Sequence, residues 1–176
     1  MNARSITPAP AKRADRPAPA GLRIGHVHLR VTDLERSVAF YQDVLGLDVM
    51  QRYGDAAAFL SADGYHHHLG LNCWQSAGGP PSQRRAAGLY HVAFLYPDRA
   101  SLGRAVARVQ ENGIVLHGAA DHGVSEAVYF DDPDGNGIEL YRDRPSHEWP
   151  LDAAGTLAMG NERLDVSSLL REAGRG

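Results

Sequence analysis

The chain has 176 residues, 43% of them hydrophobic and 22% charged, enough for one well-packed domain or for two half-size modules sharing a core. A formal net charge of −3 excludes a broad cationic face, so neither nucleic acid nor an anionic membrane is an expected partner. The single cysteine, Cys73, excludes an internal disulfide framework and a cysteine-based zinc site and agrees with a cytoplasmic location, while no apolar run approaches the roughly 20 residues of a membrane span.

Residues 1–21, rich in Ala, Pro and Arg, lack the apolar stretch of a secretory signal and read as a disordered tail. Their arginines with few acids also fit a transit peptide, but the prolines argue against the helix one needs. A strand over 22–31 then runs into Asp33, placed to cap a helix on which Leu34, Val38, Tyr41 and Leu45 share one face and Gly46 is the stop. Strand-length runs follow at 47–53, 56–61 and 66–74, parted by Gly-Asp and Asp-Gly turn signals. The first module is thus βαβββ over 22–74, and a glycine- and proline-rich linker occupies 75–88. The order repeats over 89–142: a strand at 89–96, a helix capped by Asp98 with Leu102, Ala105, Val106 and Val109 on one face, then runs near 114–118, 125–131 and 137–142. The remainder, 145–176, is a polar extension in which 164–173 could form one short helix.

The repeat is explicit. His26-Val27-His28-Leu29-Arg30-Val31-Thr32-Asp33 realigns with His91-Val92-Ala93-Phe94-Leu95-Tyr96-Pro97-Asp98 at a fixed offset of 65 residues, and Asp63-Gly64 realigns with Asp134-Gly135 at 71, which sets His68 opposite Glu139. His26 and His91 therefore head the two first strands, and Glu139 lies in the last strand of the second module. Two histidines and a carboxylate on one face of an ion leave positions open for a substrate and dioxygen, as in non-haem Fe(II) oxygenases. By strand alternation His26 and His28 share a face, as do His66 and His68, while His67 points the other way unless a bulge intervenes. A lone strand histidine is more often a hydrogen-bonded polar residue than a ligand. Its recurrence at the same place in both copies favours a metal site.

The strings Ile24-Gly25-His26-Val27-His28-Leu29-Arg30-Val31 and Asp132-Pro133-Asp134-Gly135-Asn136-Gly137-Ile138-Glu139-Leu140 resemble the vicinal oxygen chelate superfamily of glyoxalases, antibiotic-resistance proteins and extradiol dioxygenases, over about 22–144. The resemblance implies an α+β domain, two paired βαβββ modules in a cupped, mostly antiparallel sheet around a metal held by His26, His91 and Glu139. His68 is a further candidate ligand or pocket position. Within the superfamily the chain is most similar to proteins of the catechol 2,3-dioxygenase type, in which a histidine ends the first module, another lies upstream of the glutamate, and a tyrosine stands ten residues before it. His67, His122 and Tyr129 fill those slots and are the implied catalytic residues. Fe(II) is the implied cofactor, with Mn(II) or another divalent metal as alternatives, and the implied partners are a small aromatic diol and dioxygen; a homodimer is left open. The resembling enzymes carry four modules and this chain two.

The expected function is extradiol ring cleavage of a catechol-like diol. Two alternatives stand beside it: a glyoxalase-type metal-dependent isomerase or lyase, and a metal-free protein that sequesters a small-molecule drug. The ordinary readings of Tyr129 and His122 are a core-packing tyrosine and a turn residue. A surface metal-scavenging tract is the alternative for His66, His67 and His68, against which the apolar run that follows argues.

Overall fold

A computed structural model describes residues 18–83 and 86–174. The tail expected over 1–21 therefore falls, up to residue 17, outside the described residues. The first module comprises β1 (Val27–Arg30), α1 (Leu34–Phe40), β2 (Asp48–Tyr53), β3 (Ala57–Ser61) and β4 (Leu69–Asn72). The second comprises β5 (His91–Leu95), α2 (Arg99–Glu111), β6 (Gly118–Asp121), β7 (Ser125–Asp131) and β8 (Gly137–Asp143), followed by β9 (Glu162–Arg163) and α3 (Val166–Ala173).

Both helices start where the sequence places them. Asp33 accepts from the Arg36 amide at 3.1 Å and Asp98 from the Ser101 amide at 2.7 Å, each cap contributing about 1 kcal/mol. Leu34, Val38, Tyr41 and Leu45 are all buried, although the last helical turn, Tyr41–Leu45, widens to a π-helix before Gly46 stops it in the left-handed conformation at φ 74°. On α2 the expected face, Leu102, Ala105, Val106 and Val109, is fully buried. Several boundaries move. The strand expected from 22 begins at Val27, the run at 66–74 shortens to Leu69–Asn72, and the run near 114–118 shifts to Gly118–Asp121.

The strands lie in the orders β1-β4-β3-β2 and β5-β8-β7-β6-β9, antiparallel except for the β1–β4 and β5–β8 pairs. The α+β class and the two βαβββ modules are as expected, but two open sheets stand where one cupped sheet was expected. Among the described residues no ladder joins β1 to β5. The modules meet instead through their apolar helix faces and one polar loop. Leu29, Val38, Leu60 and Leu71 of the first module share a single buried cluster with Val106, Val128, Ile138 and Leu140 of the second. The loop joining β7 to β8 docks on the start of α1: Asp134 accepts from the Thr32 amide and hydroxyl, Arg36 Nη2 and Ser37 Oγ, while Asp132 accepts from the Tyr41 hydroxyl at 2.9 Å. Asp132 also takes the amides of Asp134 and Asn136, so the loop is built around two buried carboxylates whose lone pairs are used.

Candidate active site

Pairing register brings the second-module residues together. In the parallel β5–β8 ladder His91 faces Gly137 and Ala93 faces Glu139, and in the β7–β8 ladder Tyr129 faces Glu139. Ile138 and Leu140 point into the core, so Glu139 rises on the opposite, open face. Gly137 is what lets β5 approach so closely, since a Cβ there would collide with the Tyr90 carbonyl and press on the His91 side chain.

The side chains form one continuous run of contacts. His91 Nε2 is 3.0 Å from Glu139 Oε2, the Tyr129 hydroxyl donates to Glu139 Oε1 at 3.0 Å, and His122 Nε2 is 2.8 Å from the same hydroxyl. His122 occupies the tight turn between β6 and β7, so its position is that of a turn residue while its ring belongs to the site. Desolvation, then the hydrogen bond and charge of Glu139, push the Tyr129 phenol well above its ordinary range, so it stays a donor. A cleft of about 1120 Å³ opens between the modules, with His91, His122 and Tyr129 on one wall and His28 and Arg30 on the other.

His26 is not part of this run. It lies exposed ahead of β1, its ring 4.5 Å from that of His67. The expected ligand set is therefore assembled for His91 and Glu139 alone, and among the described residues no three His, Cys, Asp or Glu side chains converge on a point that could hold an ion. The separation of the sheets is the physical reason, because β1 and β5 share no edge. The chemistry of the pair nonetheless fits a metal. Two ligand atoms about 2.1 Å from one ion and at right angles are about 3.0 Å apart, and His91 Nε2 and Glu139 Oε2 stand at that separation. His91 Nδ1 is buried without a hydrogen-bond partner, so nothing ties the ring hydrogen to that side.

His28, His66, His67 and His68 lie with His26 on the first module. His67 packs on Phe59 at 5.1 Å between ring centres and on His26, and its Nδ1 is 2.8 Å from His66 Nδ1. It lies on the same side as His26 because residues 66–68 form a loop, which overrides the strand alternation expected there. Desolvation, then the neighbouring charges of His26, His66, His28 and His68, lower the His67 pKa. His68 is exposed and its Nδ1 contacts Ser61 Oγ at 2.9 Å, away from Glu139. His28 lies over Gly70 and contacts Phe59 and Trp74, and desolvation, then His26, lower its pKa.

Sequence reasoning missed the C-terminal extension as a contributor. His122 Nδ1 is 2.9 Å from the Gly160 carbonyl, and Asn161 lines the cleft. No side-chain motif signals a backbone acceptor 38 residues away. Nor does the sequence single out Asp132 and Asp134 as the residues that hold the β7–β8 loop.

A family model described as the glyoxalase/bleomycin resistance protein/dioxygenase superfamily matches residues 23–140. The chain is 47% identical over 151 residues to a catechol-2,3-dioxygenase of Bacillus subtilis, the match covering 86% of this chain and 52% of that protein. It is 33% identical over 121 residues to biphenyl-2,3-diol 1,2-dioxygenase 3 of Rhodococcus globerulus, covering 69% and 63%. The chain thus spans between half and two thirds of the length of these relatives. Among solved structures it is similar to a glyoxalase/dioxygenase from Nostoc punctiforme, with a TM-score of 0.60 at 27% identity, covering 74% of this chain and 97% of that one. No helix among the described residues is long and apolar enough to cross a membrane.

Proposed function

The chain belongs to the glyoxalase/bleomycin resistance protein/dioxygenase superfamily, and on that premise we propose that it is a metal-dependent extradiol dioxygenase acting on a catechol-like aromatic diol. The observation that carries this reading is the run His91–Glu139–Tyr129–His122. A carboxylate and imidazole suited to an ion are joined directly to a phenol and a second imidazole suited to handling protons. The names of the two dioxygenase relatives support it.

In this reading His91 and Glu139 hold the metal with His26 as the third ligand, and the structure sets His26 on the first module against His67. Fe(II), or Mn(II), held there would supply the chemistry of lowering the pKa of a diol oxygen and of engaging dioxygen. The chain's own residues do the rest. Tyr129, kept protonated by its surroundings, donates its hydroxyl hydrogen to a substrate oxygen. His122 takes up a phenolic proton at Nε2, the nitrogen beside the Tyr129 hydroxyl, and His67 is the second candidate for that task.

The test is anaerobic loading with Fe(II), then catechol and oxygen, followed by the yellow of the ring-fission product. Colour with stoichiometric oxygen uptake supports the reading. Tight metal binding without oxygen uptake across diverse diols would turn it toward a glyoxalase-type isomerase, and a chain that holds no metal would sink both.

A further inference from the structure

We infer that the C-terminal extension is a working part of the site: the Gly160 backbone clasps His122 and fixes its imidazole as the Nδ1–H tautomer, so that Nε2 turns its lone pair to the Tyr129 side. The clasp has two arms. The Gly160 amide donates to the His122 carbonyl at 2.9 Å, and the Gly160 carbonyl lies 2.9 Å from His122 Nδ1. A carbonyl oxygen can only accept, so the hydrogen of a neutral imidazole is drawn to Nδ1 and the lone pair is left on Nε2. Nε2 is the atom 2.8 Å from the Tyr129 hydroxyl. That hydroxyl has one hydrogen for two acceptors, so it serves one at a time: while it donates to Glu139 Oε1 the Nε2 lone pair stays free to take a proton, and it is filled only when the hydrogen turns to His122.

The extension is built to hold the clasp in place. The His122 amide donates to the Ser125 carbonyl at 2.8 Å, closing a turn that Gly123 completes at φ 75°. Pro150 lies against Gly123 so closely that a Cβ there would meet its ring at 2.9 Å. From Pro150 the chain makes a hairpin: Leu151 bridges Leu157, the Ala158 amide donates to the Pro150 carbonyl, and Asp152 accepts from the amides of Ala154 and Thr156. The hairpin returns the chain to His122 at Gly160, and Asn161 follows on the cleft wall. Gly160 is thus a positioning residue that acts through His122, in the way a third group orients a catalytic base. The catalytic consequence rests on the ring-cleavage reading; the tautomer does not.

The experiment uses the full chain labelled with nitrogen-15. Imidazole nitrogen shifts of the metal-free protein are expected to show His122 protonated at Nδ1. Gly160→Pro, which removes one arm, and Asp152→Ala, which loosens the hairpin well away from the core, are both expected to give a mixture of tautomers. Asp152→Asn, whose side-chain oxygen can still accept, should restore the single form. With Fe(II) and catechol the two disruptive variants should lose about tenfold or more in kcat with KM within about twofold, as expected for a misoriented proton acceptor. An Nε2–H tautomer in the unsubstituted chain, or an undisturbed Nδ1–H form in both disruptive variants, overturns the inference. A chain that cleaves no diol, yet holds the Nδ1–H form only while the hairpin is intact, upholds it and overturns the reading of the reaction.

Discussion

Tyr129 and Glu139 face each other across the β7–β8 ladder, and the tyrosine hydroxyl donates to the glutamate at 3.0 Å. Ten residues of sequence therefore become direct neighbours on one open face, because the loop between them is pinned by Asp132 and Asp134.

Replacing Glu139 with glutamine keeps the shape of the side chain and removes its charge. Metal affinity should fall by more than the roughly 10–100-fold that losing a group hydrogen-bonded to a ligand costs. Titration with Fe(II) under argon measures it, and unchanged occupancy removes Glu139 from the site.

Tyr129→Phe leaves His122 Nε2 and Glu139 Oε1 without their shared partner. With catechol as substrate, kcat should drop about 100-fold with little change in metal content. The same variant bears on alkaline stability. A phenol whose folded-state pKa is raised stabilises the fold at all pH values below its unfolded pKa of about 10, and that contribution fades as pH climbs through the folded value. The unsubstituted chain should thus lose stability above pH 10 more steeply than Tyr129→Phe, and phenolate absorbance should show one fewer late-titrating tyrosine in the variant. Identical alkaline profiles would count against the raised phenol.

The first-module histidines illustrate what a sequence can and cannot convey. The repeat made both βαβββ units legible, along with the Asp33 and Asp98 caps and the buried faces of both helices, because capping chemistry and apolar spacing are local. The run from Glu139 to Tyr129 and His122 was legible through the family resemblance, and strand register explains why the ten-residue spacing works. His66, His67 and His68 read as strand residues and lie in a loop, where ring packing on Phe59, Tyr65 and His26 outweighs alternation. The failure of β1 and β5 to share an edge left no trace in the sequence, since pairing between distant edges has no local signature. Gly160 was hidden for a related reason: it acts through its backbone.

Asp134 should prove costlier to remove than its ion-pair partner. Its side chain is 3% exposed and accepts from four groups, so Asp134→Ala is expected to destabilise by about 3 kcal/mol. Arg36 is 46% exposed, and Arg36→Ala should cost less than about 1 kcal/mol. Urea unfolding of both variants makes the comparison; equal losses would mean that the ion pair, and not the amide and hydroxyl bonds, carries the contact.

Gly103 marks where α3 rests on α2. A Cβ there would meet the Leu169 carbonyl at 2.5 Å and Ala173 at 3.3 Å. Gly103→Val should therefore lift α3, at a cost of about 1–3 kcal/mol, and free the salt bridge between Arg99 and Glu172. Limited proteolysis should then clip the chain near 164–174 while 27–143 stays resistant.

The docking of the β7–β8 loop on Thr32 reaches beyond the site. Thr32 belongs to no strand or helix, yet its amide hydrogen is held by a carboxylate of the opposite module. That hydrogen is released when Asp134 leaves Thr32, so its exchange rate is expected to report the undocking of the β7–β8 loop from the first module. One loop proton thereby becomes a clock for the contact between the halves of a duplicated chain.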